Sequence, residues 1–302
     1  MTKRLREESE EETEEVYEPS RATRFFIIWR KLRTSKLAVA GFGIVLLLSV
    51  AALLAPIIAP YGIEWMGYSG LPPSTAHWFG TDSLGRDMLS LVLYGARISL
   101  YVGLAAVFLE VVIGLAIGMI SGYFGGAVDE VLMRITDLIL SLPILPLLVV
   151  TVTLFQAYSI HTIVLVMGIF GWPFMARVAR SEFLALRETT FVEAARSMGA
   201  SSGRIIIRHI LPNILSTVVV IATMDIPWYI FWEATLTYLG FSDPSSPSWG
   251  VLLERGYYSL GIHWQGWWMV AFPGLALFFT ALGFNLFGDG LRDALDVTTR
   301  GR

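Results

Sequence analysis

The chain has no cysteine and little charge. Cysteine is absent from all 302 residues, which excludes disulfide bonds and thiolate metal sites. Only 16% of the residues are charged, against about 25% in soluble domains, while 55% are hydrophobic. This is too little charge to cover a globular surface. As a description of the whole chain, a disordered protein, a coiled coil and a nucleic-acid-binding domain are therefore excluded, and an integral membrane protein remains.

Lysine is also scarce, and no catalytic motif replaces it. The three lysines are Lys3, Lys31 and Lys36, whereas a phosphate-binding P-loop needs a lysine directly after its glycines. The H-E-x-x-H and G-x-S-x-G motifs are missing, and the histidines lack the spacing of metal ligands. We therefore expect a subunit that is not an enzyme and binds no metal or cofactor itself.

The two ends of the chain differ from its centre in charge. Residues 1–18 contain eight glutamates and almost no apolar residues, a composition typical of disorder. We expect an acidic cytoplasmic tail at 1–20, a basic juxtamembrane segment at 21–36 and a short cytoplasmic tail at 297–302.

Six apolar runs are long enough to cross a bilayer, since about 20 helical residues span the hydrocarbon core. They predict an all-α polytopic membrane protein with transmembrane helices at 37–59, 98–120, 138–156, 160–176, about 212–235 and 267–288.

The distribution of Lys and Arg predicts the orientation. With the N-terminus inside, 19 of the 22 basic residues lie on the cytoplasmic side, as the positive-inside rule requires. The segments 60–96 and 239–266 then become extracytoplasmic loops, and both termini are cytoplasmic. The longest inner loop, 177–212, has no spanning run and is expected to form two short helices.

This inner loop contains a distinctive sequence, FVEAARSMGASSGRIIIRHILP at 191–212. Glu193 suits the first turn of a short helix, where the helix dipole favours an acid, and Gly199 suits its C-terminal stop. Ala194 and Ala195 would allow another surface to approach closely. A surface helix between two turns is well suited to docking into a partner's groove.

At these residues the chain resembles the permease subunits of binding-protein-dependent ABC importers, whose signature is E-A-A-x₃-G followed by I-x-L-P. Here the second part is Ile210-Leu211-Pro212, without the spacer residue. Further similarity to the C-type subunit of oligopeptide and dipeptide importers lies in GTDSLGRD, EATLTYLGF, PSWG and GDGLRDA.

The resemblance implies a type I ABC importer transmembrane fold whose core covers 97–296. It also implies a lipid bilayer as surroundings, a heterodimer with a homologous permease subunit, two ATPase subunits that carry ATP and Mg²⁺, an extracytoplasmic solute-binding protein, and no nucleic acid. The residues expected to form the coupling helix that contacts the ATPase are Glu193, Ala194, Ala195, Arg196, Met198, Gly199 and Ala200.

Ionisable residues inside a membrane helix usually face a cavity or a partner helix. On this basis the candidates for the translocation pathway are Glu110, Met224, Asp225, Trp228 and Glu233. The alternative for each acid is a packing contact between helices, for example an ion pair of Glu233 with Arg97. Gly114 and Gly118 form a G-x-x-x-G pattern, which allows close approach of another helix.

Two questions of function stay open at this stage. Within the importer class the favoured substrates are di- and oligopeptides, with oligosaccharides or nickel complexes as alternatives. A more distant alternative is a self-sufficient, ion-coupled secondary transporter, which would leave the E-A-A loop unexplained.

Overall fold

The computed structural model describes residues 29–156, 158–241, 246–262 and 266–299, and most of these are helical. The predicted acidic tail at 1–20, the start of the basic segment and residues 300–302 lie outside the described residues. A short helix at 29–34 precedes ten helices, which are α1 (Lys36–Ile58), α2 (Met88–Phe124), α3 (Gly126–Ser141), α4 (Ile144–Leu154), α5 (Ile160–Gly171), α6 (Pro173–Arg187), α7 (Thr190–Ser197), α8 (Ser202–Tyr238), α9 (Trp249–Ile262) and α10 (Trp267–Thr299).

Among the described residues, α1, α2, α8 and α10 are each long and apolar enough to cross a membrane. Two further pairs reach that length only together, α3 with α4 and α5 with α6, and they bend by 90° and 41°. The predicted count of six spans holds when each bent pair is taken as one span.

The third and fourth spans are not the straight helices that the sequence predicted. The run 138–156 is broken before Pro143, and the run 160–176 is broken before Pro173. Proline lacks the N–H that a helix interior needs and disfavours helical geometry in the residue before it. Apolar composition marks what lies in the bilayer, but it does not report these breaks.

The fifth span starts ten residues earlier than expected, at Ser202. Residues Ile205–Ile210 form a π-helical stretch that leads directly into the regular helix at Leu211. Pro212 offers no N–H to the preceding turn, and the wider hydrogen-bond spacing of a π-helix accommodates this loss. The Asn213 side chain donates to the carbonyl oxygen of His209 at 2.6 Å, a side-chain contact within this turn.

The second outer segment was expected to be a loop throughout 239–266, but α9 occupies its centre. Trp249 at the start of α9 is fully buried. Its indole N–H donates to the carbonyl oxygen of Val92 at 3.0 Å, and its backbone N–H donates to the Ser99 hydroxyl at 3.2 Å. The Pro- and Ser-rich run before Trp249 pointed to turns, and the helix depends on burial against α2 that local sequence does not reveal.

Residues 60–87, most of the first predicted outer segment, are held together by side-chain contacts. Asp82 accepts two hydrogen bonds from the Arg86 guanidinium, at 2.5 and 2.7 Å. One oxygen of Asp87 lies 2.9 Å from His77 Nδ1, and the other accepts the backbone N–H three residues later at the start of α2. Burial, reinforced by the nearby charge of Arg86, lowers the pKa of the Arg255 guanidinium on α9.

Helix α2 lies at the centre of the bundle and contacts α6 through glycines. A Cβ at Gly114, Gly118 or Gly122 would lie within 2.7 Å of an α6 atom, and at Gly118 the nearest is the Ala176 carbonyl oxygen at 2.4 Å. The G-x-x-x-G pattern therefore marks a real helix contact, which extends one turn further than the pattern itself. At the same end of the bundle Arg180 of α6 forms a bidentate pair with Asp129 of α3 at 2.5 and 2.6 Å.

Candidate functional site

The E-A-A segment forms the short surface helix α7. Glu193 lies in its first turn, as the sequence predicted. At the other end the N–H of Ala200 donates to the carbonyl oxygen of Ala195 at 3.1 Å, and that of Gly199 donates to Arg196 at 3.0 Å. These two bonds define a Schellman stop, which requires a positive φ at the residue after the helix. Gly199 has φ +79°, so the predicted stop is confirmed.

The seven residues expected at the coupling helix do not all face outward. Glu193, Ala194, Arg196 and Gly199 are exposed, and Met198 is 81% exposed. Ala200 is half-buried, and Ala195 is only 2% exposed. The expectation that both alanines admit another surface was therefore wrong for Ala195. A helix that lies on an apolar core buries one face, so every third or fourth residue points toward the core.

The inward face of α7 joins a separate apolar cluster at this end of the protein. Val192 and Ala195 of α7 pack together with Phe183 of α6 and with Ile205 and Ile210 of the π-helical stretch, and all five are at most 2% exposed. Leu115, Met119 and Tyr123 of α2 pack against the same cluster. The surface helix is thus packed on residues of α2, α6 and α8, and a close-packed core of this kind resists the displacement of one member alone.

Two of the pathway candidates meet inside the bundle. The carboxyl of Glu110 on α2 interacts with the carboxyl of Asp225 on α8 and with the hydroxyl of Tyr229, one turn further along α8. Glu110 is 2% exposed and Tyr229 is 3% exposed. Two neighbouring ionised carboxylates repel each other in a medium of low dielectric constant, and one oxygen of each acid, Glu110 Oε2 and Asp225 Oδ2, has no hydrogen-bond partner among the described residues. Tyr229 was not predicted, since a tyrosine in an apolar helix gives no signal by itself.

Glu233 occupies a different position, fully buried between α8, α2 and the start of α9. Ser99 and Ser248 lie beside its carboxyl. The ion pair suggested with Arg97 does not form, because Arg97 is exposed while Glu233 has no exposed surface. The residues are on neighbouring helices, but Arg97 projects from the face of α2 opposite to that of its neighbour Ser99.

The remaining two candidates do not join the acid cluster. Trp228 is 61% exposed. Met224 packs on Gly288 of α10 and lines a cavity of about 350 Å³ between α6, α8 and α10. Glu182 and Arg292 also line that cavity. The sequence did not single them out, because each lies in a charged segment typical of a solvent-exposed helix end.

Comparison with known proteins gives the family. Residues 114–301 match the family described as binding-protein-dependent transport system inner membrane component, and residues 23–73 match the N-terminal TM domain of oligopeptide transport permease C.

Curated relatives cover nearly the whole chain. It is 38% identical to the dipeptide transport system permease protein of Bacillus subtilis (strain 168), over 90% of this chain and 85% of the relative. It is 39% identical to the oligopeptide transport system permease protein of the same organism, over 89% and 88%. The glutathione transport system permease protein of Shigella sonnei (strain Ss046) is 42% identical, over 90% of each chain.

The fold also matches a solved structure. Inward-facing structures of the MetNI methionine ABC transporter superpose with TM-scores of 0.55 and 0.56 at 21% and 20% sequence identity, over 68% of this chain and 97% of that chain. The chain therefore belongs to the family of binding-protein-dependent transport system inner membrane components, and it is a multi-pass permease subunit of an ABC importer with the type I transmembrane fold.

Proposed function

We propose that this chain forms one half of the translocation pathway of an ATP-driven peptide importer. A homologous permease subunit supplies the other half, an extracytoplasmic binding protein delivers the substrate, and two ATPase subunits bind on the cytoplasmic side. ATP and Mg²⁺ are bound by those ATPase subunits, and this chain carries out no catalysis.

The observation that carries the proposal is the two-sided structure of α7. Its buried side is anchored in the apolar cluster with α6 and α8, while Glu193, Ala194, Arg196 and Met198 are exposed. A short helix with a rigid base and a bare outer face is suited to transmit the movement of a partner. In the proposed mechanism, closure of the ATPases moves α7, and the packed cluster passes that displacement to α8 and α2.

Such a transfer fits a two-state switch. Packed helices change between discrete arrangements, and a ligand on one chain biases them by its different affinity for the two states. ATP bound to the partner subunits is the ligand in this case. The acid cluster of Glu110, Asp225 and Tyr229 joins α2 to α8, the two helices that the apolar cluster beneath α7 also joins.

The substrate class follows from the relatives. The names of three relatives give dipeptides, oligopeptides and glutathione as the transported compounds, and all three are peptides. We extend this class to the present chain. Oligosaccharides and nickel complexes stay possible outcomes of a binding assay on the partner binding protein.

The orientation is part of the same proposal. Both termini and α7 lie in the cytoplasm, and the segments 60–96 and 239–266 lie on the extracytoplasmic side. The bias of 19 basic residues to 3 between the two sides supports this arrangement.

The test is copurification of the ATPase subunits with this permease. We expect Glu193→Arg to reduce the recovered ATPase at least tenfold, because the reversed charge faces the partner directly. Gly199→Asp should act similarly, since it puts a charge next to the contact and a side chain at a positive φ. Matched controls are Glu130→Arg, an exposed acid on α3, and Gly203→Asp, where a side chain meets open space at an ordinary φ.

Two results would contradict the proposal. One is full ATPase recovery with both α7 variants when the variants are expressed and folded like the wild type. The other is accumulation of solute by vesicles that contain only this chain, without nucleotide, which would instead support an ion-coupled transporter.

A further inference from the structure

A groove lies where the short helix at 29–34 meets α1 and α10, and we call it the juxtamembrane groove. Its walls include Trp29, Arg33, Val39, Phe42 and Phe287, and its volume is about 430 Å³. Volumes of roughly 300–1,000 Å³ are typical of sites for small molecules. The ring centroids of Phe42 and Phe287 lie 5.5 Å apart, so two helices contribute the aromatic wall.

The floor of the groove is closed by tight contact between α1 and α10. Ala38 is 1% exposed and faces Gly290, where an added Cβ would lie 2.2 Å from the Ala38 Cβ. The walls above this floor stay open, since Trp29, Val39 and Phe42 are 47%, 50% and 45% exposed. The groove is therefore an open recess between packed helices.

Positive charge is concentrated in the segment that carries one end of the groove, where Arg33 lines the rim. Four cations lie within seven residues, at Arg30, Lys31, Arg33 and Lys36. The Arg33 guanidinium lies 5.9 Å from the centroid of the Trp29 ring, a cation–π contact that holds it at the rim.

The groove lies where the spanning helix α1 begins, which is the expected boundary of the membrane. Ser35 caps α1, so Arg33 lies just before the spanning helix, while Val39 and Phe42 lie on its first two turns. A ligand in this groove meets positive charge at one end and hydrocarbon-like walls at the other. An apolar molecule would leave the cations unused, and a free anion would leave the aromatic wall unused.

We propose that the juxtamembrane groove binds an anionic phospholipid. The headgroup phosphate lies beside Arg33 and its basic neighbours, and an acyl chain lies along Val39, Phe42 and Phe287. Basic residues directly next to a membrane helix attract anionic lipid headgroups on the cytoplasmic side, and the aromatic wall adds a site for the chain of one particular lipid.

The test uses the purified importer complex, with this permease as full-length chain, and native mass spectrometry. The complex is titrated with phosphatidylglycerol or with phosphatidylcholine of the same acyl chains. We expect wild type to retain phosphatidylglycerol preferentially and Arg33→Gln to lower that retention about fivefold, the contribution typical of one basic residue near the surface. Val39→Trp should lower it by filling the groove without changing charge.

The matched control is Arg134→Gln, which removes an exposed arginine from α3 and should leave lipid retention unchanged. Inorganic phosphate in millimolar excess should not displace the lipid, since it cannot occupy the aromatic wall. A photo-crosslinker at Phe42 should label lipid.

The proposal fails if wild type retains both lipids equally, if Val39→Trp retains phosphatidylglycerol like wild type, or if phosphate displaces it. It also fails if the crosslinker labels residues 1–28 of this chain or the second permease subunit, since that segment or subunit would then fill the groove. These readouts measure lipid and not uptake, so they stand independently of the proposed transport function.

Discussion

Three acids of α2 and α8, Glu110, Asp225 and Glu233, lie at contacts between these two helices. Glu110 of α2 meets Asp225 of α8, and Glu233 of α8 lies against Ser99 of α2. A charged side chain near the bilayer centre costs at least about 2.5–3.5 kcal/mol, so an acid is retained there only with a polar neighbour. At the residue scale, these acids therefore place polar groups in the surface between α2 and α8.

We expect Glu110→Gln and Asp225→Asn each to lower peptide uptake severalfold while the importer complex still assembles. Each amide keeps the size of the side chain and can still form hydrogen bonds, but it cannot ionise as a carboxyl does. Uptake of a labelled peptide by cells that express the complex measures the first effect, and copurification of the subunits measures the second. Glu130→Gln, at an exposed acid, serves as control. Unchanged uptake in both variants would make the pair a packing contact only.

At the scale of elements, small residues decide how closely the helices pack. Along α2, glycines face α6 at three successive turns, and the bidentate pair of Arg180 with Asp129 lies at the same end. Without a hydrophobic driving force in lipid, such close backbone contact and polar pairing supply the association of helices. The base on which α7 is seated depends on this contact.

Gly118→Ala should destabilise the protein by about 1–3 kcal/mol, as overpacking of a tight contact usually does. The added methyl group would lie 2.4 Å from the Ala176 carbonyl oxygen and 2.6 Å from the Ala179 Cβ. Gly43→Ala is the matched control, since nothing lies within 4 Å of the position of its added carbon. Thermal unfolding in detergent measures both. Equal melting temperatures for the two variants would show that α2 and α6 are not in close contact.

For the whole molecule, the two apolar clusters divide the bundle along its length. The larger one lies among α2, α5, α8, α9 and α10, and the smaller one lies beneath α7. Helix α2 contributes to both, and α8 runs through both. The two longest helices of the described chain therefore provide a continuous packed connection between α7 and the larger cluster.

The absence of native cysteine allows a direct test of the orientation. Tyr68→Cys in the first outer segment, where the tyrosine is 83% exposed, should react in intact cells with a maleimide that cannot cross the membrane. Ser197→Cys at the end of α7 should react only after permeabilisation. The reverse pattern would place α7 outside and would exclude contact with cytoplasmic ATPases.

Local signals in the sequence predicted α7 well. The acid in the first turn and the glycine stop at Gly199 act within one or two turns, so the helix and its end are both found where they were expected. The same reasoning could not tell Ala194 from Ala195, since which of two adjacent alanines is buried depends on the position of Phe183 and Ile205 in space.

Composition and periodicity by themselves determined that the chain is a helical membrane protein. Charge is costly to place in lipid, so a segment that crosses the bilayer is a long, nearly uncharged run, and this chain has six such runs. Only the tertiary structure decided that Glu110 meets Asp225 while Glu233 stays apart, that α9 folds within an outer loop, and that the spans at Pro143 and Pro173 bend. The first two depend on which faces of distant helices come together, and that is a property of packing between segments. The bends lie at two prolines, whose effect on a span the apolar composition does not report.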